Sequence, residues 1–191
     1  MRNAARLFLS FVFLITVGPS VRAGELIVSV PDQELALIDH GKTIARYPVS
    51  TSKFGIGDGV GTYRTPLGSM YVSAKLGDGL PLGAVIKSRI ATGEVIAPNA
   101  PGRDPIVSRV LWLRGKENQN QNARERCIYI HGTAEEKRIG RRASYGCIRV
   151  KSKDVMALYP RVHIGTPVTI SEKSLSDFLP PEEETLLARS Y

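Results

Sequence analysis

The sequence is poor in several residue types, and each scarcity excludes a class of protein. Its 191 residues contain only two cysteines and three histidines, too few for a clustered metal site. The cysteines, Cys127 and Cys147, lack the Cys-x-x-Cys spacing of a thioredoxin-like oxidoreductase. The glycine-rich stretch 52–66 has no Lys-Ser/Thr ending and opens no helical pattern, which favours hairpin connections over a phosphate-binding loop. A metal site, a dithiol redox site and a phosphate-binding loop are therefore not expected.

The N-terminus has the pattern of a Sec-type signal peptide. Arg2 and Arg6 precede an apolar run from Leu7 to Val17, and small residues follow up to Ala23. This run is short for a transmembrane helix, which needs about 20 residues. We predict that residues 1–23 are a signal peptide cleaved near Ala23. The mature protein is then periplasmic or otherwise exported to the cell envelope, and contacts the membrane only through the uncleaved signal peptide.

Basic residues outnumber acidic ones, giving a formal net charge of +8. A basic surface favours anionic partners, and nucleic acid is the usual first candidate. Because export removes the protein from nucleic acid, anionic envelope polymers or carboxylate-rich substrates fit better.

The rest of the chain is predicted to be one mainly β domain over residues 24–171, followed by a polar tail, 172–191. Short runs of Val, Ile and Leu separated by turn residues predict strands at 26–30, 34–38, 43–49, 69–73, 106–113, 127–130 and 167–170. The segment 77–105 is dense in glycine and proline and reads as a long binding loop or lid. One helix is predicted from Ser152, as N-cap, to Tyr159, where Pro160 stops it.

One histidine and one cysteine stand out as a possible catalytic pair. His131 ends an apolar strand and precedes Gly132, and Cys147 follows sixteen residues later. A thiol attacks as thiolate, and an adjacent imidazole can supply the missing base. The absence of a Cβ at Gly146 would let a substrate carbonyl approach the main chain, and amides around Gly146 and Cys147 could bind the oxyanion.

A disulfide between Cys127 and Cys147 is the competing interpretation, since exported proteins often pair their cysteines. Cys127 lies four residues before His131, roughly 13 Å along a strand. A Cys147 thiol beside His131 would then be too far from Cys127 for a bridge, which needs Cα atoms within about 7 Å. We therefore predict that no disulfide joins the two cysteines and that Cys147 is a free thiol; whether Cys127 is free stays open.

The region around this pair resembles the YkuD-type L,D-transpeptidase family. The family signature is His-Gly followed after some fifteen residues by Ser/Thr-His-Gly-Cys, an apolar residue, and Asn or Arg. The matching positions are His131, Gly132, Ser144, Gly146, Cys147, Ile148 and Arg149. Further landmarks occur in the same order at 47–51, 65–68 and 165–168, so the resemblance covers about residues 25–171.

This resemblance implies a curved β-sandwich with one or two short helices and a cysteine at the foot of a cleft. It also implies acyl transfer on peptidoglycan stem peptides, a process of cell wall biogenesis and cell shape. Cys147 would attack the carbonyl joining the third stem residue to D-Ala, and His131 would act as its base. An amine of a second stem, or of a protein being attached to the wall, would resolve the thioester. The resemblance also implies that no metal or organic cofactor is required and that carbapenems acylate the thiol.

The chain departs from the signature at Tyr145, where the family usually has a second histidine. Tyr145 could donate a hydrogen bond to substrate or oxyanion. Ser144 either orients the pair or is a plain turn serine, and Arg149 either favours the thiolate, holds a substrate carboxylate or forms a surface salt bridge. Two rival functions stay open: a hydrolytic L,D-carboxypeptidase or amidase on the same stems, and an inactive wall-binding module.

Overall fold

The computed structural model describes residues 24–178. The predicted signal peptide, 1–23, and the end of the predicted tail, 179–191, lie outside the described residues.

The regular structure of residues 24–178 is almost all strand. The strands are β1 (Glu25–Ser29), β2 (Glu34–Asp39), β3 (Lys42–Ser50), β4 (Gly68–Leu76), β5 (Ala84–Lys87), β6 (Ile90–Val95), β7 (Ile106–Gly115), β8 (Tyr129–Thr133), β9 (Ile148–Lys151) and β10 (Pro167–Ser171). One α-helix, α1 (Ser152–Leu158), follows β9 directly. In this part of the chain, no helix has the length and apolar character needed to cross a membrane.

The strands form a single sheet that closes on itself. Its order is β4-β10-β1-β2-β3-β9-β8-β7, with a further pairing of β4 to β7 that completes the ring, while β5 and β6 extend from β7. Closure satisfies backbone groups that an open edge would leave unpaired. The predicted mainly β class with curved sheets and a short helix is confirmed, and the curvature continues to a closed, barrel-like sheet.

Alternation along β8 and β9 separates the core from the outer surface of the barrel. Ile130, Ile148 and Val150 are fully buried in the main apolar core. Since successive side chains of a strand point to opposite faces, His131 and Arg149 lie on the other face. The functional groups thus sit on the outside of the barrel wall, on strands whose inner face is held by the core.

The predicted long loop at 77–105 contains a hairpin that the sequence did not indicate. Strands β5 and β6 pair antiparallel within it, and the two residues between them, Ser88 and Arg89, have φ of 50° and 69°. Two-residue hairpin turns require this left-handed conformation, which usually selects Asn and Gly. Ser-Arg gives no such signal, and every residue of β6 is exposed, so no alternation marks the strand.

The N-cap of helix α1 lies one residue earlier than predicted. Lys151 is the N-cap and Ser152 the first helical residue, so the prediction of Ser152 as N-cap was wrong. The carboxylate of Glu136 accepts the Ser152 N–H at 2.8 Å. The Glu136 side chain, which lies outside the helix, therefore caps this N–H in place of a side chain at the N-cap position.

The packed domain also continues past residue 171. Leu175 is 1% exposed and packs with Ile27, Ala36 and Ile38. Asp32 accepts hydrogen bonds from the Leu175 amide at 2.7 Å and from Ser174 Oγ at 2.8 Å. Residues 172–178 of the predicted polar tail thus include a buried leucine, and one leucine in a polar stretch is a weak sequence signal of burial.

Candidate active site

The parallel register of β8 and β9 brings the two candidate catalytic residues onto one face. Ile130 pairs with Ile148 and His131 with Arg149, so Cys147, one residue before β9, lies beside Tyr129. His131 and Cys147 are then diagonal neighbours, with Cα atoms about 8 Å apart for ordinary strand spacing. The chain positions a base and a thiol on adjacent strands of a rigid wall.

His131 is buried as a neutral imidazole. It is 5% exposed, and its Nδ1–H donates to the Gly132 carbonyl at 2.8 Å. Because a carbonyl only accepts, the proton is on Nδ1 and Nε2 keeps its lone pair. Burial lowers the pKa of His131 to about 4, and the nearby Arg149 cation acts in the same direction. At neutral pH the ring can take up a proton.

Gly132 is needed for backbone spacing. A Cβ at this position would lie 2.4 Å from the Val107 carbonyl oxygen, too close for any other residue. The neighbouring strand β7 has a register shift between Val107 and Val110, and Ser108 within it has φ of 67°. The supporting role expected of Gly132 therefore has two parts: its carbonyl fixes the imidazole, and its missing side chain lets β7 approach.

Cys147 is a protonated thiol in this environment. Burial raises its pKa to about 11, an effect only partly offset by a hydrogen bond from the Tyr129 amide and by the Arg149 cation. The thiol donates to the Cys127 carbonyl, with Sγ and oxygen 3.3 Å apart. Within residues 24–178 no hydrogen bond joins Sγ to the imidazole of His131. The resting pair is thiol plus neutral imidazole, which suits proton transfer during attack better than a standing ion pair.

The turn that carries Cys147 is fixed by Ser144. This residue is fully buried; its Oγ donates to the Cys147 carbonyl at 2.6 Å and accepts the Gly146 N–H at 3.2 Å. Of the two readings of Ser144, the orienting one fits these bonds. The Gly146 amide, expected to be available for an oxyanion, is already bound to this hydroxyl.

Gly146 has a conformational reason to be glycine. Its φ is 118°, a region that L side chains rarely adopt, and a Cβ would lie 3.2 Å from the Arg64 carbonyl oxygen. The sequence suggested that the missing Cβ of Gly146 makes room for a substrate carbonyl. In the structure, the group that approaches Gly146 closely is the backbone of the neighbouring loop at Arg64.

A buried threonine that sequence reasoning did not single out ties the turn to that loop. Thr65 Oγ donates to the Gly146 carbonyl at 2.9 Å and accepts the Ser52 N–H at 3.0 Å. Thr65 is fully buried. Residues 65–68 were noted only as a landmark, because nothing local in the sequence predicts a bond spanning 81 positions.

Arg149 forms a buried ion pair beside the histidine. It is 8% exposed, and its guanidinium lies 2.8 Å from Asp104 and 3.4 Å from Glu135. Asp104 also accepts hydrogen bonds from Thr133 Oγ and the Glu135 amide. The charge of Arg149 is thus satisfied within the protein and is not a surface salt bridge. Asp104 went unnoticed because it lies in the stretch predicted to be loop.

Tyr145 points away from this polar network. It is 55% exposed, and its hydroxyl accepts a hydrogen bond from Lys53 Nζ at 3.0 Å, which lowers its pKa. Its ring centroid lies 5.6 Å from that of Phe54 and 5.9 Å from that of Tyr63. Tyr63 and Tyr145 also line a cavity of about 220 Å³ beside the turn.

Both cysteines are free thiols in the structure, and the predicted absence of a disulfide agrees with this, but the distance argument behind it was wrong. Cys127 has φ of 55° and precedes β8, so strand alternation does not apply to it. Cys127 lies two residues before Tyr129, which is the neighbour of Cys147 on the adjacent strand. The backbone of Cys127 is therefore close to Cys147, and its carbonyl oxygen lies 3.3 Å from Cys147 Sγ. In residues 24–178, no group of three or more His, Cys, Asp or Glu side chains is arranged to hold a metal ion.

Comparisons with known proteins extend this description. The chain is 29% identical over 180 residues to YqjB of Bacillus subtilis (strain 168), named as a candidate L,D-transpeptidase, and covers 88% of it. Solved structures share the fold: an L,D-transpeptidase from Mycobacterium smegmatis has a TM-score of 0.53 at 17% identity, over 78% of this chain and 58% of that one. For L,D-transpeptidase 3 from Mycobacterium tuberculosis, solved with a faropenem-derived adduct, the TM-score is 0.52 at 20% identity, over 78% and 60%. The chain thus spans about three fifths of these solved chains.

The match to a family model covers most of the sequence. Residues 23–170 match YkuD, the L,D-transpeptidase catalytic domain, a range that includes the barrel, His131 and Cys147. The chain belongs to the L,D-transpeptidase catalytic domain family.

Proposed function

We propose that this protein is an L,D-transpeptidase that acts on peptidoglycan stem peptides through a Cys147 thioester. The observation that carries the proposal is the pairing of a partly exposed thiol with a buried, neutral imidazole on one face of the barrel. Family membership supports a peptidoglycan acyltransferase. The assignment of Cys147 as nucleophile and His131 as base comes from their shared face and their protonation states.

The acylation step begins with a thiol and a free imidazole nitrogen. As Sγ bonds to the carbonyl carbon between the third residue and D-Ala, the thiol proton passes to Nε2 of His131. The C–N bond then breaks, and the imidazolium returns this proton to the departing amine of D-Ala. Because His131 is neutral near pH 7, it can accept the proton in the first half of the step.

The second step resolves the thioester. An amine of another stem attacks the same carbonyl carbon, its proton passes to His131, and the C–S bond breaks with the proton returned to Cys147. A cross-link between two third residues results. Water in place of the amine gives hydrolysis, and an amine carried by a protein gives attachment of that protein to the wall.

The surrounding residues hold the pair in place for both steps. Gly132 fixes the imidazole, Ser144 and Thr65 fix the turn, and Arg149 contributes a positive charge that favours thiolate character at Cys147. Preorganised groups of this kind lower the reorganisation needed during reaction.

Purified muropeptides test the proposal. The protein starting at residue 24 should release D-Ala from a tetrapeptide stem and form a dimer, both detected by mass spectrometry, and Cys147→Ala should do neither. Release of D-Ala without a dimer would assign hydrolysis. Binding to sacculi by both proteins with no change in any stem would assign a wall-binding module.

A β-lactam probe identifies the nucleophile independently of the natural substrate. The faropenem-derived adduct named for the Mycobacterium tuberculosis relative supports the choice of a penem or carbapenem. A mass increase of the intact protein, mapped to the peptide that contains Cys147, is the expected result. Labelling elsewhere, or none, would contradict the assignment.

The proposed site of action is the cell envelope, supported by the signal-peptide pattern in residues 1–23. Mature protein recovered from the host envelope fraction should begin near Gly24 by N-terminal sequencing. Full-length protein in the cytoplasmic fraction would contradict export.

A further inference from the structure

Three aromatic rings form a half-open cup beside the Cys147 turn. Phe54 and Tyr63 come from the loop 52–66, and Tyr145 comes from the turn itself. Their ring centroids are 5.6 to 6.0 Å apart in every pairing, and the planes of Tyr63 and Tyr145 are 88° apart. All three side chains are about half exposed. Exposed aromatic clusters next to a reactive residue usually mark a binding surface.

The cup already contains a primary ammonium group. Lys53 Nζ lies 4.4 Å from the ring centroid of Tyr145 and 5.1 Å from that of Phe54, distances at which a cation is attracted to a ring face. The Tyr145 hydroxyl accepts a hydrogen bond from the same nitrogen. Within residues 24–178, Lys53 forms no ion pair with a carboxylate. The chain's own lysine therefore shows which chemical group the cup accommodates.

An acidic residue, Glu125, lies at the cavity next to the cup. Glu125 lines the cavity of about 220 Å³ together with Tyr63 and Tyr145, and it joins no ion pair among the described residues. The other charged residue of this wall, Arg126, is held by Asp58 at 2.9 Å. An incoming ammonium would therefore meet ring faces, a phenol oxygen and a free carboxylate.

We propose that Phe54, Tyr63 and Tyr145 bind the side-chain ammonium of the third residue of the donor stem, in the place that Lys53 occupies here. This inference rests on the proposed function. In the proposed cross-link, the acceptor amine belongs to the side chain of a third residue. Donor and acceptor stems have the same composition, so the donor's third residue carries this amine too, and it is an ammonium at neutral pH.

The cup and the nucleophile lie close together along the chain. Tyr145 is two residues from Cys147, so their Cα atoms are at most about 7 Å apart. The proposal places the carbonyl of the third residue at Cys147 Sγ and the side-chain ammonium of the same residue in the cup.

Two donor tetrapeptides that differ only at the third residue test the proposal. One carries a free lysine side chain and the other the same lysine acetylated on Nζ, which removes the charge. The rate of D-Ala release should give a kcat/KM ratio of about three to ten in favour of the free amine. Phe54→Leu and Tyr63→Leu should lower that ratio towards one, whereas the matched control Phe178→Leu, at an exposed site elsewhere, should keep it.

A variant of Lys53 tests the occupancy of the cup. Lys53→Met removes the competing ammonium, so KM for the free-amine donor should fall while KM for the acetylated donor changes little. Thermal melting of each variant checks that folding is preserved. A wild-type ratio near one, or a ratio that survives Phe54→Leu, would overturn the proposal. A cup that binds a sugar ring would instead give equal rates for the two donors, both raised by attaching the disaccharide and both lowered by Phe54→Leu.

Equilibrium binding separates this inference from the proposed function. Cys147→Ser protein should bind the free-amine donor more tightly than the acetylated one, measured by titration calorimetry. Selective binding without D-Ala release by wild type would leave the ammonium site standing and refute the transpeptidase. Release of D-Ala without selectivity would do the reverse.

Discussion

Cys147 lies between two regions that differ in almost every physical property. On the strand side, His131 and Arg149 are buried and the side chain of Asp104 is 11% exposed; Arg149 is paired with Asp104, and His131 is hydrogen-bonded to the Gly132 carbonyl. On the loop side, Phe54, Tyr145 and their neighbours are half exposed and held by ring contacts and one lysine.

This difference separates two tasks. Buried charges and hydrogen bonds define one arrangement, since any change leaves a polar group unsatisfied. Half-exposed rings can shift and exchange partners at little cost. The strand side therefore sets the chemistry, and the loop side is suited to selecting what reaches it.

Substitution of the two cysteines is expected to give the largest difference in the rate of D-Ala release. Cys147→Ala should reduce D-Ala release by more than about 1000-fold, because the covalent step is lost. Cys127→Ala should keep most activity, since it removes a side chain and leaves the carbonyl that contacts Cys147. A mass-spectrometric assay of product formation measures both, and similar losses in the two variants would refute the distinction.

The reactivity of Cys147 should rise steeply with pH. Its pKa is about 11, so the thiolate fraction grows about tenfold per pH unit below that value. In Cys127→Ala protein, the iodoacetamide rate should increase roughly 1000-fold from about pH 6 to 9. The pKa of His131, about 4, predicts no inflection near pH 6.5. A plateau across this range would instead indicate a thiolate–imidazolium pair.

Breaking the buried ion pair should destabilise the fold far more than breaking an exposed one. Asp104→Ala leaves Arg149 without its nearest carboxylate and should cost about 3 kcal/mol. The control Glu94→Ala removes the partner of Arg103 in an exposed pair and should stay within about 1 kcal/mol. Urea denaturation measures both free energies of unfolding. Equal effects would mean that the strand side is no more constrained than the surface.

The smallest effect is expected on the loop side. Tyr145→Phe removes the hydroxyl that accepts the Lys53 hydrogen bond but keeps the ring contacts. The midpoint of urea denaturation should stay the same as that of the unsubstituted protein, because both groups are exposed. A clearly lower midpoint would show that the cup is structural.

Much of the fold was predictable because its signals are local. Alternating Val, Ile and Leu gave the strands on either side of the 39–42 turn, and α1 ends at Leu158, one residue before its predicted end, with Pro160 inside the 3₁₀ turn that follows. The hairpin β5–β6 was missed because its exposed strand has no apolar alternation and its turn is Ser-Arg. The cap of α1 was misplaced because the acceptor, Glu136, comes from outside the helix.

The residues of the candidate site also differ in whether the sequence could identify them. His131, Cys147 and Ser144 lie in one short motif, so the sequence could single them out. Thr65 and Asp104 reach the site only through tertiary contacts, and no spacing rule connects them to it. The closeness of Cys127 to Cys147 follows from the register of β8 and β9, which alternation within one strand cannot give.

The pairing that closes the barrel has a consequence for the order of folding. Strand β1 pairs in parallel with β10, the last strand of the described residues, so the ring is complete only after residue 171 is available. Contacts between chain ends form slowly compared with local ones. Pairs of strands that are neighbours in the sequence, such as β1 with β2 and β2 with β3, can therefore form before the ring closes.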